Sequence, residues 1–521
     1  MKSLNVRTFT RSTGERNHGR SRIACVVVLL VVLELSLIGI APATQICAGV
    51  AKKDITDYEA GPINDTLYVK ALVVKDDVTT AVIITVDAVA IGELGRIGNS
   101  FLANVRTQLQ KDLNIQPSNV LINASHCHGV IRQDTASLAV QAVREACQNV
   151  VPVSVGAGVG HEKRITENRR LKLKNGGESD VRRAYSLPPD EDVVDIGPVD
   201  PDIGLLRIDR KDGKTLAVVY NFACHPIMGT PGGGNTADFP GFASRVIEEN
   251  TGDGALAFFL QGCTGDINPV QYKDVHNPHD AESIGNILGL SAMRALKKIQ
   301  TRENGELKVV NEVVALPRGT DLEQRMSSMQ SEQSRLLQSL RGTSLNLKTF
   351  IPLFVQYNLS TNYPSYYSHR YLHDKLIGRN DLSRLDAENR VNMDLYIQNI
   401  HTMEQLTRLQ ANMNLLKMHQ SQNVASGSKT INVEIVGLRV GDFVLVTFPG
   451  EPSVEVGLNI KKNSPHQFTF IAGYSNGYIY YAPTEKQRRN PGFAQEDCDC
   501  LVAPEWQKLY EEKVSAILKK L

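Results

Sequence analysis

Val120-Leu121-Ile122-Asn123-Ala124-Ser125-His126-Cys127-His128-Gly129 and Leu216-Ala217-Val218-Val219-Tyr220-Asn221-Phe222-Ala223-Cys224-His225-Pro226 share one pattern. Each is an apolar run that ends in imidazole beside a small or proline residue. Short apolar runs bounded by turn residues read as strands buried on both faces. In open α/β sheets, ligands bind just outside the carboxyl ends of strands. An imidazole at such an exit is a candidate metal ligand or acid/base. His-x-His at 126 and 128, read as strand, places both side chains on one face.

Outward from these runs, residues 44–319 alternate strand-like and helix-like segments. Residues 68–74, 81–86, 120–124, 204–208, 216–222 and 256–260 read as strands. Residues 95–113, 136–148, 241–249 and 283–299 read as helices. The alternation predicts an α/β fold, a layered mixed sheet flanked by helices. The stretch 172–199 is polar, rich in Gly, Pro and Asp, and reads as a surface loop. Residues 320–424 change to helical apolar spacing over 323–340 and 387–419, which reads as a helical insertion. The Tyr- and Asn-rich stretch 357–371 reads as a surface loop or the lining of a cleft. Strand patterning returns over 425–521, and residues 506–521 form an amphipathic helix.

The net charge of +1 over 521 residues points away from nucleic acid, and 42% hydrophobic residues suffice for a full core. Basic residues from Lys2 to Arg22 precede an apolar stretch, 23–40, and then Ala41-Pro42-Ala43. This is the layout of a signal peptide over 1–43, so an exported protein, periplasmic or secreted, is expected. An uncleaved anchor is the alternative. The mature chain would keep seven cysteines, an odd number. Cys127 and Cys224, each next to a site histidine, are expected to face the core, with a disulfide between them as a further expectation.

Three more strand exits carry polar clusters: Gln261-Gly262-Cys263-Thr264-Gly265-Asp266-Ile267-Asn268-Pro269, Pro449-Gly450-Glu451, and Tyr474 through Tyr481. Gly and Pro there permit tight turns and close backbone approach. Two neutral imidazoles and one carboxylate suit Zn²⁺ with a position left for water. Such an ion lowers the pKa of the water and polarises a carbonyl, which is the chemistry of acyl-bond hydrolysis.

With these pieces in order, the chain resembles the catalytic domain of the neutral, non-lysosomal ceramidases. The matching motifs are Gly49-Val50 with Asp54-Ile55-Thr56, Asp87, and Ser125 to Gly129. They continue with Glu167-Asn168-Arg169, Asp200-Pro201, Phe222 to Pro226, Asp238 with Gly241, and Gly265 to Pro269. Pro449-Gly450-Glu451 and Asn476 to Tyr481 complete the set. The resemblance implies a zinc-dependent hydrolase cleaving the amide bond of an N-acyl lipid, with peripheral contact to membrane or lipid aggregates. It implies zinc ligands His126, His225, Glu451 and Tyr481, with Tyr478 and Tyr480 as alternatives to Tyr481. It places His128 beside the metal and Arg169 on the substrate. Either His128 or Asp266 would assist proton transfer. The catalytic domain would span 44–319 and 425–521 around the insertion.

The chain also departs from that family. Asn268 stands where the family has a serine implicated in catalysis. Asn cannot act as a nucleophile, but an activated water needs none, so substrate placement is expected to differ. Phe493 falls near a family tyrosine. The insertion matches no family feature, and no C-terminal immunoglobulin-like domain is expected. A metal-dependent esterase or deacylase, and a non-catalytic lipid-binding protein, are the alternative functions.

Overall fold

A computed structural model describes residues 45–181, 187–229, 234–270, 280–303, 305–491 and 494–521. Within them the apolar runs build two stacked sheets. The larger has eight strands in the order Leu256–Gln261, Thr215–Phe222, Asp202–Arg210, Val151–His161, Cys47–Asp54, Tyr68–Lys75, Thr80–Val86 and Val120–Ala124. Its two outermost pairs are parallel and its centre is antiparallel. The smaller sheet joins Leu307–Pro317, Thr430–Val440, Phe443–Thr447 and Phe468–Ala472, with the last pair parallel.

The period of two along a strand decides what each face meets. Val69, Ala71 and Val73 pack with helices Phe101–Leu113 and Thr135–Gln148. Leu72 and Val74, on the other face, join Leu438, Phe443 and Phe470 of the smaller sheet. Tyr220 and Phe222 meet helices Asp238–Thr251 and Ala281–Leu296, while Val219 faces between the sheets. Val433, Val444 and Ile471 turn to helices Val454–Asn463 and Trp506–Leu518. The layers therefore run helix, sheet, sheet, helix. Strands covered on both sides read as unbroken apolar runs, as the opening stretches do. Phe443 and Phe470 stack at 5.2 Å between the sheets; burying each such ring contributes roughly 1.5–3 kcal/mol.

Val120–Ala124 and Leu256–Gln261 lie at opposite edges of the larger sheet, yet the Gln261 amide donates to Asn123 Oδ1 at 3.0 Å. The sheet curls until its two edges meet at their carboxyl ends. Asn123 Nδ2 donates onward to Gly473 O at 2.7 Å and Ser475 Oγ at 3.0 Å. Asn221 Nδ2 similarly joins Leu260 O and Ile471 O, both at 2.9 Å. These two buried amides tie the sheets together where all the histidine-bearing exits converge.

Several expectations shift. The first helix begins at Phe101, since Gly95 takes a left-handed φ of 72° that breaks it upstream. The strand Val151–His161 is not among the segments read from the sequence. A Cβ at Gly156 would lie 2.4 Å from the Gln300 carbonyl oxygen, so glycine is needed there for close packing. The stretch 172–199 is not only loop: with Arg170 it forms a small antiparallel sheet of Arg170–Leu173, Glu178–Asp180 and Val193–Ile196.

The helical stretch comprises Leu322–Ser339, Leu347–Leu359, Ser368–Leu376 and the 46-residue Asp381–Ser426, which ends at Gly427 with φ 61°. Met326, Met329 and Leu336 pack on Leu409, Met413 and Leu416 of the long helix. The 357–371 stretch ends one helix and starts another. Its Tyr357 and Tyr371 hydroxyls donate to Asp386 Oδ1 at 2.6 and 3.3 Å. The expected signal peptide and Phe493 lie outside the described residues. Among the described residues no helix is long and apolar enough to cross a membrane.

Candidate metal centre

Strand Val120–Ala124 gives out just before His126, whose amide donates to Ala88 O at 2.9 Å. His126 takes φ 69°, a left-handed conformation that costs a non-glycine residue of order 1 kcal/mol or more and concentrates at functional sites. That twist breaks the strand alternation. The expectation that His126 and His128 share one strand face is corrected: His126 is buried and His128 is exposed. Their rings still meet edge to face, centroids 5.6 Å apart.

His225 arrives from the exit of Thr215–Phe222, and its ring centroid lies 5.1 Å from that of His126. His126 Nδ1 donates to Val89 O at 2.6 Å and His225 Nδ1 to Ile267 O at 2.8 Å. A carbonyl oxygen only accepts, so these bonds assign the Nδ1–H tautomer to both neutral rings and turn both Nε2 lone pairs inward. Both point at Glu451: His225 Nε2 is 3.1 Å from Oε2 and His126 Nε2 is 3.6 Å from Oε1. Glu451 pairs with Tyr481 in a short parallel bridge after the exit of Phe443–Thr447.

Burial alone would raise the Glu451 pKa, but His126, His225 and the Tyr478 hydroxyl hold the carboxyl well below its usual range. Burial and the Arg169 charge lower His225 despite the opposing pull of Glu451. With both rings neutral in the tautomer that Nδ1–H donation to the carbonyls fixes, the two Nε2 atoms and the Glu451 carboxylate are all acceptors facing one another. A cation resolves that conflict. The three side chains are all buried, and their ligand atoms lie within 4.8 Å of one another. A buried His, His, carboxylate set is the donor chemistry of zinc with one position left open.

Four tyrosines follow strand Phe468–Ala472, and their roles separate. Tyr474 donates to Glu451 Oε2 at 3.1 Å and exchanges a 2.6 Å hydrogen bond with Thr264. Tyr478 donates to Glu451 Oε1. Burial, then the Glu451 charge, raises both phenols far above their usual pKa, so both remain donors. Tyr481 stacks on His225 with centroids 6.4 Å apart and an interplanar angle of 21°. Tyr480 turns away: its hydroxyl accepts from Gln422 Nε2 at 2.9 Å and its ring meets His419 on the long helix. Tyr474 was missed as a site residue, since nothing in strand periodicity marks it. Its place directly after a strand exit was the available signal.

Arg169 is buried. It pairs through Nε with Glu496 at 2.8 Å and donates to Asn268 Oδ1 at 3.1 Å and Gly265 O at 2.5 Å. Its guanidinium also lies 5.6 Å over the Tyr481 ring. Because arginine only donates, the Asn268 amide must turn its oxygen to Arg169 and its Nδ2 the other way. That Nδ2 is buried with no hydrogen-bond partner among the described residues. Asp266 accepts from the Val454 amide at 2.8 Å, Gln487 Nε2 at 3.2 Å and Asn168 Nδ2 at 3.3 Å. Cys127 and Cys224 are buried as expected, in separate apolar clusters, and neither forms a disulfide.

The architecture is thus a four-layer α/β fold with a buried His, His, Glu cluster where strand exits converge. No protein-family model and no curated protein sequence matches the chain. Solved structures do. A neutral ceramidase from Pseudomonas aeruginosa superposes with a TM-score of 0.57 at 16% identity, over 92% of this chain and 75% of that one. A ceramidase complexed with C2 gives the same score and identity over 92% and 76%. The chain has the neutral ceramidase fold.

Proposed function

We propose that the protein is a zinc-dependent amidohydrolase that cleaves the amide bond of an N-acyl lipid of the ceramide type. The observation that carries this reading is the buried His126, His225 and Glu451 cluster, set in a fold shared with neutral ceramidases. These three residues hold the ion, with Tyr481 as the proposed fourth ligand. When bound, zinc activates water and polarises a carbonyl. Tyr474 and Tyr478 aim the Glu451 carboxylate. Asn268 Nδ2, the amide end left unbonded by Arg169, donates to the carbonyl oxygen of the substrate. His128, the solvent-reaching imidazole, carries protons between site and solvent. It suits that role better than Asp266, whose oxygens already accept three donors. Residues 1–43 are proposed to export the chain.

Asn268 in place of the family serine favours a second reading, an esterase or deacylase on another acylated compound. Metal content and ceramide hydrolysis, measured on the same purified protein, test both. Stoichiometric zinc with fatty acid release, both lost in His126→Ala and His225→Ala, is the expected result. Zinc with turnover of esters but not ceramide would move the reading to the second. Failure to take up zinc after reloading would overturn both.

A further inference from the structure

Helix Leu347–Leu359 carries Leu347, Ile351, Phe354, Val355 and Leu359 on its solvent side, at the spacing of one helical face. Its opposite side is already used: Phe350 and Tyr357 pack on Met393 of the long helix. The neighbouring helix Ser368–Leu376 adds Leu372 and Leu376, and Ile377 follows it. Leu359 and Leu376 are 81% and 82% exposed, and Tyr366 between the helices is 91% exposed. Single exposed apolar residues are ordinary; an apolar face running the length of a helix, as on Leu347–Leu359, marks an interaction surface.

Charge identifies the occupant. Residues 342–373 contain no Asp or Glu, and 341–385 hold six Lys and Arg against two Asp, in a chain whose net charge is only +1. Lys348, Arg370 and Lys375 lie on the same two helices as the apolar residues. Tyrosines 363, 366 and 367 join them, the residue type that favours the boundary between lipid and water. Apolar face, aromatic rim and basic surround together describe a helix pair that lies in the interface of an anionic bilayer rather than across it.

We infer that the helix pair 347–377 docks the protein on anionic lipid surfaces. This goes beyond the hydrolase reading and does not depend on the metal cluster. The test is partition of the full chain onto large vesicles of phosphatidylcholine, with and without phosphatidylserine. Native protein should bind the serine-containing vesicles, more weakly as salt rises. Ile351→Asp with Leu359→Asp should reduce that partition about tenfold or more. Lys348→Glu with Lys375→Glu should reduce it at least about fivefold on anionic vesicles while leaving neutral ones unaffected. All substituted side chains lie on the outer surface of the arm, so unchanged zinc content and far-UV circular dichroism serve as controls for folding. Native and substituted proteins are prepared in the same form, with the same N-terminus, so they differ only on the helix pair. Equal vesicle partition by native and substituted proteins would overturn the inference. So would a native dimer in sedimentation that the Ile351→Asp, Leu359→Asp chain loses, since the face would then seat a second copy.

Discussion

At the scale of single residues, the centre depends on groups that hold the ligands in place. The Nδ1 bonds of His126 and His225 to backbone carbonyls present Nε2 as the ligand atom. Glu451 is held through both oxygens by phenols whose own pKa values are driven up, so they stay donors. Tyr478→Phe deletes one of those donors without changing the ring. Zinc affinity, read by competition with a chromogenic chelator, should fall about tenfold or more. Tyr480→Phe removes a hydroxyl that bonds Gln422 outside the cluster, and should leave zinc affinity as it was. Equal losses in the two variants would mean that the Glu451 contacts do not tune the metal.

At the scale of elements, a buried ion cluster binds pieces distant in sequence. Arg170 on strand Arg170–Leu173 pairs with Glu178 at 2.9 Å, Asp497 at 2.9 Å and Glu496 at 3.4 Å. Glu496 also takes Arg169, so the site's arginine and the small sheet share one anchor, the helix Gln495–Cys498. Three carboxylates against two guanidiniums leave an excess of negative charge. Burial, opposed by Arg170 and assisted by Glu496, raises the Asp497 pKa to about 6. The folded chain therefore keeps this proton to higher pH than the unfolded chain, where Asp titrates near 3.9. The unfolded state then binds fewer protons in that window. Stability contributed by Asp497 should fall as pH rises from about 4 to about 6 and be constant above that. Asp497→Asn cannot titrate. Asp87 and Asp238, whose pKa values burial likewise raises to about 6, add slopes of the same sign. The unfolding midpoint of Asp497→Asn in urea should therefore fall less steeply between about pH 4 and about pH 6 than that of the native chain; a slope equal to the native one would show that Asp497 does not contribute.

At the scale of the molecule, the site exists because the larger sheet closes on itself. His126 and His225 sit about a hundred residues apart, one after an edge strand of the sheet and the other after the strand next to the opposite edge. Asn123 is the stitch, accepting from Gln261 and donating to Gly473 and Ser475. Asn123→Leu removes these bonds and strands a buried amide and carbonyl. A loss of about 2–5 kcal/mol in unfolding free energy is expected, with weakened zinc uptake. Retained zinc affinity at native level would place the stitch elsewhere.

The strands and helices were largely legible from periodicity, because burial on one or two faces imprints a period of two or an unbroken apolar run on a local stretch. The candidate residues His126, His225 and Glu451 were legible for the same reason, each lying just past such a run beside Gly or Pro. What the sequence could not settle depends on contacts between distant segments. The strand Val151–His161 escaped the periodicity reading because its glycines serve a neighbour, not an apolar face. The tyrosines could not be sorted, since Tyr474 and Tyr480 take φ of 52° and 64° and so depart from strand alternation. The convergence of the exits follows from sheet curl and from the Asn123 and Asn221 amides. Local pattern thus determined the elements and the residue types at their ends. Tertiary packing alone decided which ends meet, which phenols reach Glu451, and which apolar helix face is left to solvent.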